Sequence, residues 1–321
     1  MTDPTISVIT PTLLRPTEVG ELLENLAQQT VLPTEVILVD GADESDNATF
    51  EMVEAKRAGL PFKVVYLRRN GGTAIQRNHG IDLARGRFVA FVDDDVRLET
   101  DFLEKINSAF EFAGNEEVGG IVGYRTNQYF EASSSERWRW YKRLRLLSVY
   151  EPGRYDRKCG YPINNNMQAP FSGTREVDFV TTACAVWRRE VFDCGLRFDE
   201  FFRDYGVLED AHLSLRAGRD WRLLQCGDAR CEELHSPNGR ANRRRIGYKS
   251  VANYYYVFRD ISGPLEFRQK YYFWRFQAFE LFRIGMSAVR RRRWDDVTEL
   301  RGRVNAIFAV LFGKVGIRNG Q

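Results

Sequence analysis

The sequence has no run of about 18 uncharged apolar residues, so a membrane-spanning helix is not expected. It opens "MTDPTISVIT", which lacks the basic and apolar regions of a signal peptide, and a cytoplasmic protein is expected. Cysteine is scarce and unpatterned. Cys159, Cys184, Cys194, Cys226 and Cys231 are odd in number and show no CxxC spacing, which speaks for scattered free thiols in a reducing compartment. Neither a P-loop nor a GxGxxG pattern is present, so the usual nucleoside-triphosphatase and dinucleotide signals fail. A strong charge of one sign is also missing. The net charge is only +3 and says little about partners, although Arg243 to Arg245 and Arg290 to Arg293 form local basic clusters.

What remains is an ordinary soluble composition, 43% apolar and 28% charged, over 321 residues, enough for one large or two smaller domains. The first 125 residues alternate two periodicities. "ISVIT" (6–10) and "EVILVD" (35–40) are short β-branched runs of the kind buried on both faces of a parallel sheet. Between them Val19, Leu22, Leu23 and Leu26 recur at the spacing of an amphipathic helix. "KVVYLR" follows a second helical stretch, and "FVAFVDDD" follows a third that starts near Thr73. Strand and helix in alternation predict βαβ units and a Rossmann-like, mostly parallel α/β sheet, whose ligand sits outside the carboxyl ends of the strands. Polar residues gather there: Thr10, Pro11 and Thr12, then Asp40, then Asp93 to Asp95.

Residues 126 to 176 read as a long irregular segment, with a basic and aromatic "SSSERWRWYKRLR" and an Asn-, Pro- and Gly-rich "GYPINNNMQAPFSG". "VDFVTTACAVW" returns to strand character, and "EDAHLSLRAG" reads as a helix that opens on two acids and closes at Gly218. Beyond His235 the chain reads as helical to its end. "YYFWRFQAFELFRIGMSAVRRRRW" there has the composition of an interfacial membrane helix, with core packing as the alternative. Nucleic-acid binding is not expected, since no reader motif appears.

Three adjacent aspartates at the end of an apolar strand repel one another. Helix capping accounts for one or two acids, whereas a divalent cation, Mg2+ or Mn2+, held by carboxylates and substrate phosphates accounts for three. Gly71 and Gly72 in "NGGTAIQRNHGI" precede a helix bearing Arg77 and Asn78, and this reads either as a ligand-binding turn or as a plain glycine turn with a polar helix face.

The ordered series "VITPTLLRP", "EVILVDGADESD", "NGGTAIQRNHGI", "GRFVAFVDDDV", "VDFVTTACAVWRREVF", "FDEFF" and "LEDAHLSLR" resembles the inverting family 2 glycosyltransferases of the GT-A fold, over roughly residues 5 to 235. The resemblance implies that Pro11, Thr12, Arg15 and Asp40 contact the nucleoside, with Arg77 and Asn78 beside the nucleotide. It implies that Asp93 and Asp95, with Asp94 between them, hold ribose, metal and donor diphosphate. It also implies that Asp210, next to Glu209, is the catalytic base. His235 reads either as a structural histidine or, as in some members of this fold, as an additional metal ligand. Arg240 with Arg243, Arg244 and Arg245 reads either as a solvated basic face or as a basic loop able to close over the diphosphate. Leu13 and Leu14, the single Asp40 before Gly41, Thr182 and His212 depart from the family pattern and leave donor sugar and acceptor open.

The expected organisation is a GT-A catalytic domain over 1–240, with a nucleotide-binding half (1–125) and an acceptor-binding half (126–240). A helical C-terminal extension follows over 241–321. The expected activity is transfer of a sugar from a UDP-, GDP- or dTDP-type donor to a glycan or lipid-linked acceptor, with peripheral contact at the cytoplasmic face of a membrane. A sugar-phosphate nucleotidyltransferase is the alternative, though "TPTLLRP" has no glycine for its loop. A non-catalytic carbohydrate-binding protein is the other, though all the acids are present.

Overall fold

The computed structural model describes residues 5–112, 117–203, 206–234, 242–291 and 293–316. Contacts divide the chain into one unit of Met1–Phe130 with Asn165–Gly239 and a second of Glu131–Asn164 with Arg240–Gln321.

The first unit opens with alternating strands and helices: β1 (Ile6–Thr12), α1 (Pro16–Ala27), β2 (Glu35–Asp40), α2 (Ala48–Arg57), β3 (Lys63–Arg68), α3 (Thr73–Leu83) and β4 (Phe88–Val92). β5 (Val96–Leu98), α4 (Phe102–Phe112) and β6 (Val118–Arg125) follow. β1, β2 and β4 are buried at every position, which is why they are continuous apolar runs rather than alternating ones. The second unit contributes α5 (Glu136–Arg143) and a hairpin of β7 (Tyr155–Asp156) with β8 (Tyr161–Pro162). The chain then returns to the first unit through β9 (Thr174–Val177), β10 (Cys184–Arg188), α6 (Glu190–Asp193), α7 (Glu209–Ala217) and β11 (Arg222–Glu233).

The central sheet runs β3-β2-β1-β4-β10-β6-β11-β5, with β9 also on β11. β3, β2, β1 and β4 are mutually parallel, and β10 enters antiparallel between β4 and β6. Parallel register aligns the carboxyl ends. Thr12 stands opposite Asp40, and Ile9 opposite Phe91, which brings Thr12 level with Asp94 three residues on. β1 extends to Thr12, so Thr10, Pro11 and Thr12 belong to the strand and do not follow it. α3 lies close on β1 because residue 80 is glycine; a Cβ there would stand 2.3 Å from the Ile9 side chain.

The second unit is completed by α8 (Arg243–Ser262), α9 (Phe267–Arg291) and α10 (Trp294–Leu311). α8 and α10 cross at glycines: a Cβ on Gly247 would meet the Glu299 carbonyl at 2.1 Å, and one on Gly302 the Arg244 carbonyl at 2.0 Å. Phe258, Leu265 and Phe273 form a core cluster with Tyr254, Tyr255 and Trp274 against it.

Residues 126 to 176 are less irregular than their composition predicts, because Trp138 and Tyr141 form the buried side of α5 at a spacing of three. Their charged neighbours mask that periodicity. Residues 131–164 also group with the C-terminal helices, a different division from an acceptor-binding half over 126–240.

Candidate active site

The three aspartates leave β4 in a tight turn, in which the Val96 amide donates to the Asp93 carbonyl. Each meets an arginine. Asp93 Oδ1 accepts from Arg77 at 2.8 Å, Asp94 Oδ1 from Arg15 at 2.5 Å, and Asp95 Oδ2 lies 3.6 Å from Arg15. Guanidinium groups from α3 and the start of α1 therefore relieve much of the repulsion expected among adjacent carboxylates. The three acids are not equivalent. Asp94 is buried and its Oδ2 accepts from the Thr12 hydroxyl at 2.7 Å. Burial pushes its carboxyl up to about 6, against the downward pull of Arg15 and Thr12. Asp94 thus ties β4 to the end of β1, whereas the Asp93 side chain is about a third exposed at 32%.

Arg77 is the hub. It is buried on α3, holds Asp93 with one terminal nitrogen and reaches Glu209 Oε1 at 3.3 Å with the other. Its guanidinium also lies 5.7 Å from the centre of the Phe198 ring. α3 starts at a sharp turn whose Gly71 and Gly72 take φ values of 122° and 93°, a region open to glycine. Asn78 is occupied differently. Its amide donates to the Phe198 carbonyl at 2.9 Å and accepts from the Phe198 amide at 2.8 Å, which clamps the 198 loop.

Glu209 and Asp210 open α7, where the helix dipole favours acids. The residue before them, Leu208, has φ of 72°, an outlier for a branched side chain. Backbone strain of this kind gathers at active sites and ligand clamps. Burial, and then the neighbouring Glu209 carboxylate, push Asp210 up to about 7, against the Ala211 amide and the charges of Arg77 and Arg125. Arg125, at the end of β6, is held by Glu233 at 2.7 Å.

Asp40 is buried at the end of β2, with Oδ2 accepting from the Tyr66 hydroxyl at 2.7 Å and Oδ1 from the Ala42 amide at 2.9 Å. Gln76 donates to the carbonyls of Thr12 and Val39 at 3.0 and 2.7 Å and ties α3 to both strand ends. Pro11 pairs in register with Val39. Pro11, Thr12, Arg15, Asp40, Arg77, Asp93, Asp94, Asp95, Glu209 and Asp210 thus belong to one unit, at the carboxyl ends of β1, β2 and β4 and the start of α7. Arg243 and Arg244 begin α8 and do not form a loop; Arg243 lies 3.7 Å from Glu299. His235 and Arg240 lie outside the described residues. Gln76, Tyr66, Arg125 and the strained Leu208 gave no sequence signal, since each acts through a partner distant in sequence or through a backbone angle.

Asp93 and Asp95 suit a hard divalent cation, which is commonly held by one or two carboxylates with phosphate oxygens completing its shell. Among the described residues no group of three His, Cys, Asp or Glu side chains could hold a metal; His235 lies outside them. The buried Asp94, engaged by Thr12 and Arg15, does not fit as a ligand.

Comparison with known proteins bears on the family and the fold. An uncharacterized glycosyltransferase of Bacillus subtilis, YwdF, is 30% identical over 157 residues, 46% of this chain and 55% of that protein. A putative teichuronic acid biosynthesis glycosyltransferase of the same organism, TuaG, is 33% identical over 119 residues, 35% of this chain and 46% of that protein. The chain thus spans about half the length of these curated relatives. Among solved structures, the mannosyltransferase PcManGT from Pyrobaculum calidifontis in complex with GDP-Man and Mn2+ aligns with a TM-score of 0.55 at 17% identity. The alignment covers 96% of this chain and 88% of that one, and the likeness establishes the GT-A fold. The model described as glycosyl transferase family 2 matches residues 7–196, more than half of the sequence, from β1 through β4 and its aspartates to β10, so the chain belongs to that family.

Proposed function

We propose that the protein is an inverting glycosyltransferase that moves a sugar from a nucleotide-sugar donor to a hydroxyl of a glycan or glycolipid acceptor. The observation that carries this reading is the bridge from Asp93 through Arg77 to Glu209, which joins the aspartate turn to the start of α7. Nucleotide-binding acids and a candidate base are thereby set in one frame, as a single displacement requires. PcManGT was solved with GDP-Man and Mn2+, which supports a nucleotide-sugar donor and a divalent metal on this fold.

Asp93 and Asp95 would hold Mn2+ or Mg2+, which when bound offsets the charge developing on the leaving diphosphate. The chain does the rest. Thr12 and Arg15 fix Asp94 and with it the turn that aims Asp93 and Asp95. Asp210 takes the proton of the acceptor hydroxyl as that oxygen attacks the anomeric carbon. The bond to the diphosphate breaks on the opposite side, so the configuration inverts without a covalent intermediate. Arg77 keeps Glu209 ion-paired beside the base.

Asp210→Asn and Asp95→Ala are expected to lower transfer by about a thousandfold across a panel of UDP-, GDP- and dTDP-sugars, with unchanged circular dichroism. Full turnover by either variant rejects the assignment.

A further inference from the structure

We propose that the outward face of α9 docks on an anionic lipid surface, with the helix lying against the bilayer and not crossing it.

α9 buries apolar residues on one side and leaves a second set of them exposed on the other. Its inward side carries buried Gln277 and Glu280 together with Phe273, Phe276 and Ile284. Glu280 is satisfied inside: it pairs with Arg137 and Arg283 and accepts from the Tyr141 hydroxyl. The outward side is apolar. Phe267, Tyr271, Ala278, Phe282, Met286 and Val289 are all exposed and follow one another at spacings of 4, 7, 4, 4 and 3, one stripe along the helix. Phe282 and Val289 leave 64% and 78% of their surface in solvent. A contiguous apolar stripe of this length on a folded surface marks an interaction face.

Charge selects the partner. Residues 267–316 hold eleven Lys and Arg against four Asp and Glu. The only acid of α9 is the buried Glu280, while Arg268 and Lys270 near one end and Arg290 near the other are exposed, with Arg293 exposed just beyond. Trp294, also exposed, follows Arg293 and suits the boundary between headgroups and acyl chains. A second copy of this chain fits poorly. Two such faces would set cations of α9 against cations in either helix direction, with the exposed Glu266 and Asp295 just beyond its ends as the acids nearest to them. An anionic headgroup layer answers both basic ends, and the stripe then sinks into the acyl boundary. No described helix is long and apolar enough to cross a membrane, which leaves the interfacial geometry.

The test uses the full chain and vesicles sedimented without donor or acceptor, so its outcome is independent of transferase activity. Binding is expected to vesicles of phosphatidylglycerol and phosphatidylcholine, weakened by salt, and to be weak with phosphatidylcholine alone. Phe282→Glu and Met286→Glu should each lower the partition coefficient roughly tenfold. Arg290→Glu with Arg293→Glu should remove most of the salt dependence. All four side chains are exposed, so thermal melts should match the parent. Deletion of the helices is a poorer probe, because α10 packs on the backbone of α8 at Gly302. The proposal is overturned by equal binding to neutral vesicles, by no binding to anionic ones, or by variants that bind like the parent. Lipid-free dimerisation that Phe282→Glu abolishes would instead assign the face to a second copy.

Discussion

A carboxylate that is to take a proton from a sugar hydroxyl must be ionised when the acceptor binds. Asp210 is pushed up to about 7 by burial and by Glu209, so its protonated form is populated on the acid side of neutrality. The sign follows directly: transfer rises as pH passes upward through about 7 and levels above it. A rate-against-pH profile measured at saturating donor checks this, and a flat profile between pH 5 and 8 counts against Asp210 as the base. Arg77 sharpens the point, since it is one of the charges that pull Asp210 down. Arg77→Met should move the acid limb to higher pH, an outcome that a merely structural role for Arg77 does not produce. Asp94 illustrates the opposite kind of acid, one that is buried, held by Thr12 and Arg15, and occupied in joining two strands.

At the scale of the element, α5 and α9 are joined by an ion-pair network around the buried Glu280. Burial alone would raise Glu280, but hydrogen bonding and charge from Arg283 and the charge of Arg137 overcome it and bring the carboxyl down to about 2. A depressed carboxyl stabilises the fold above its ordinary value near 4.5, and that stability is lost as pH falls toward 2. Glu280→Gln should therefore cost on the order of 3 kcal/mol at pH 7, with the difference shrinking in acid. Denaturant titrations at pH 7 and pH 3 measure both quantities; equal stability of parent and variant at pH 7 contradicts the network's role. Tyr141, which donates to Glu280, sits in α5, the helix whose spacing its charged neighbours hid from a reading of the sequence.

At the scale of the whole molecule, ligand binding is read as stability. The proposed site predicts that UDP or GDP raises the melting temperature in the presence of Mn2+ and much less in its absence. A ligand at a hundred times its Kd adds about 2.7 kcal/mol, well within reach of a thermal shift. Asp95→Ala should remove the metal dependence. Stabilisation by nucleotide that is indifferent to Mn2+ and to Asp95 would place the diphosphate elsewhere. The chain spans about half the length of its first curated relatives, so acceptor recognition is best tested on the chain itself and not carried over from them.

The sequence by itself determined the parallel strands, the helices between them and the acids at the strand ends. Those features are written in short-range periodicity: β1, β2 and β4 as unbroken apolar runs, α1 as a stripe, and α7 as two acids before an apolar face. The ordered motifs likewise pointed to the family, since their spacing survives without knowledge of any contact. Only the tertiary structure decided what each acid does. Asp94 meets Thr12 across 82 residues and Arg77 meets Glu209 across 132, pairings that depend on strand register and on where α3 lies over the sheet. The outward stripe of α9 is of the same kind. Its aromatic composition was legible, but which side faces solvent was fixed by Glu280 finding its partners inside.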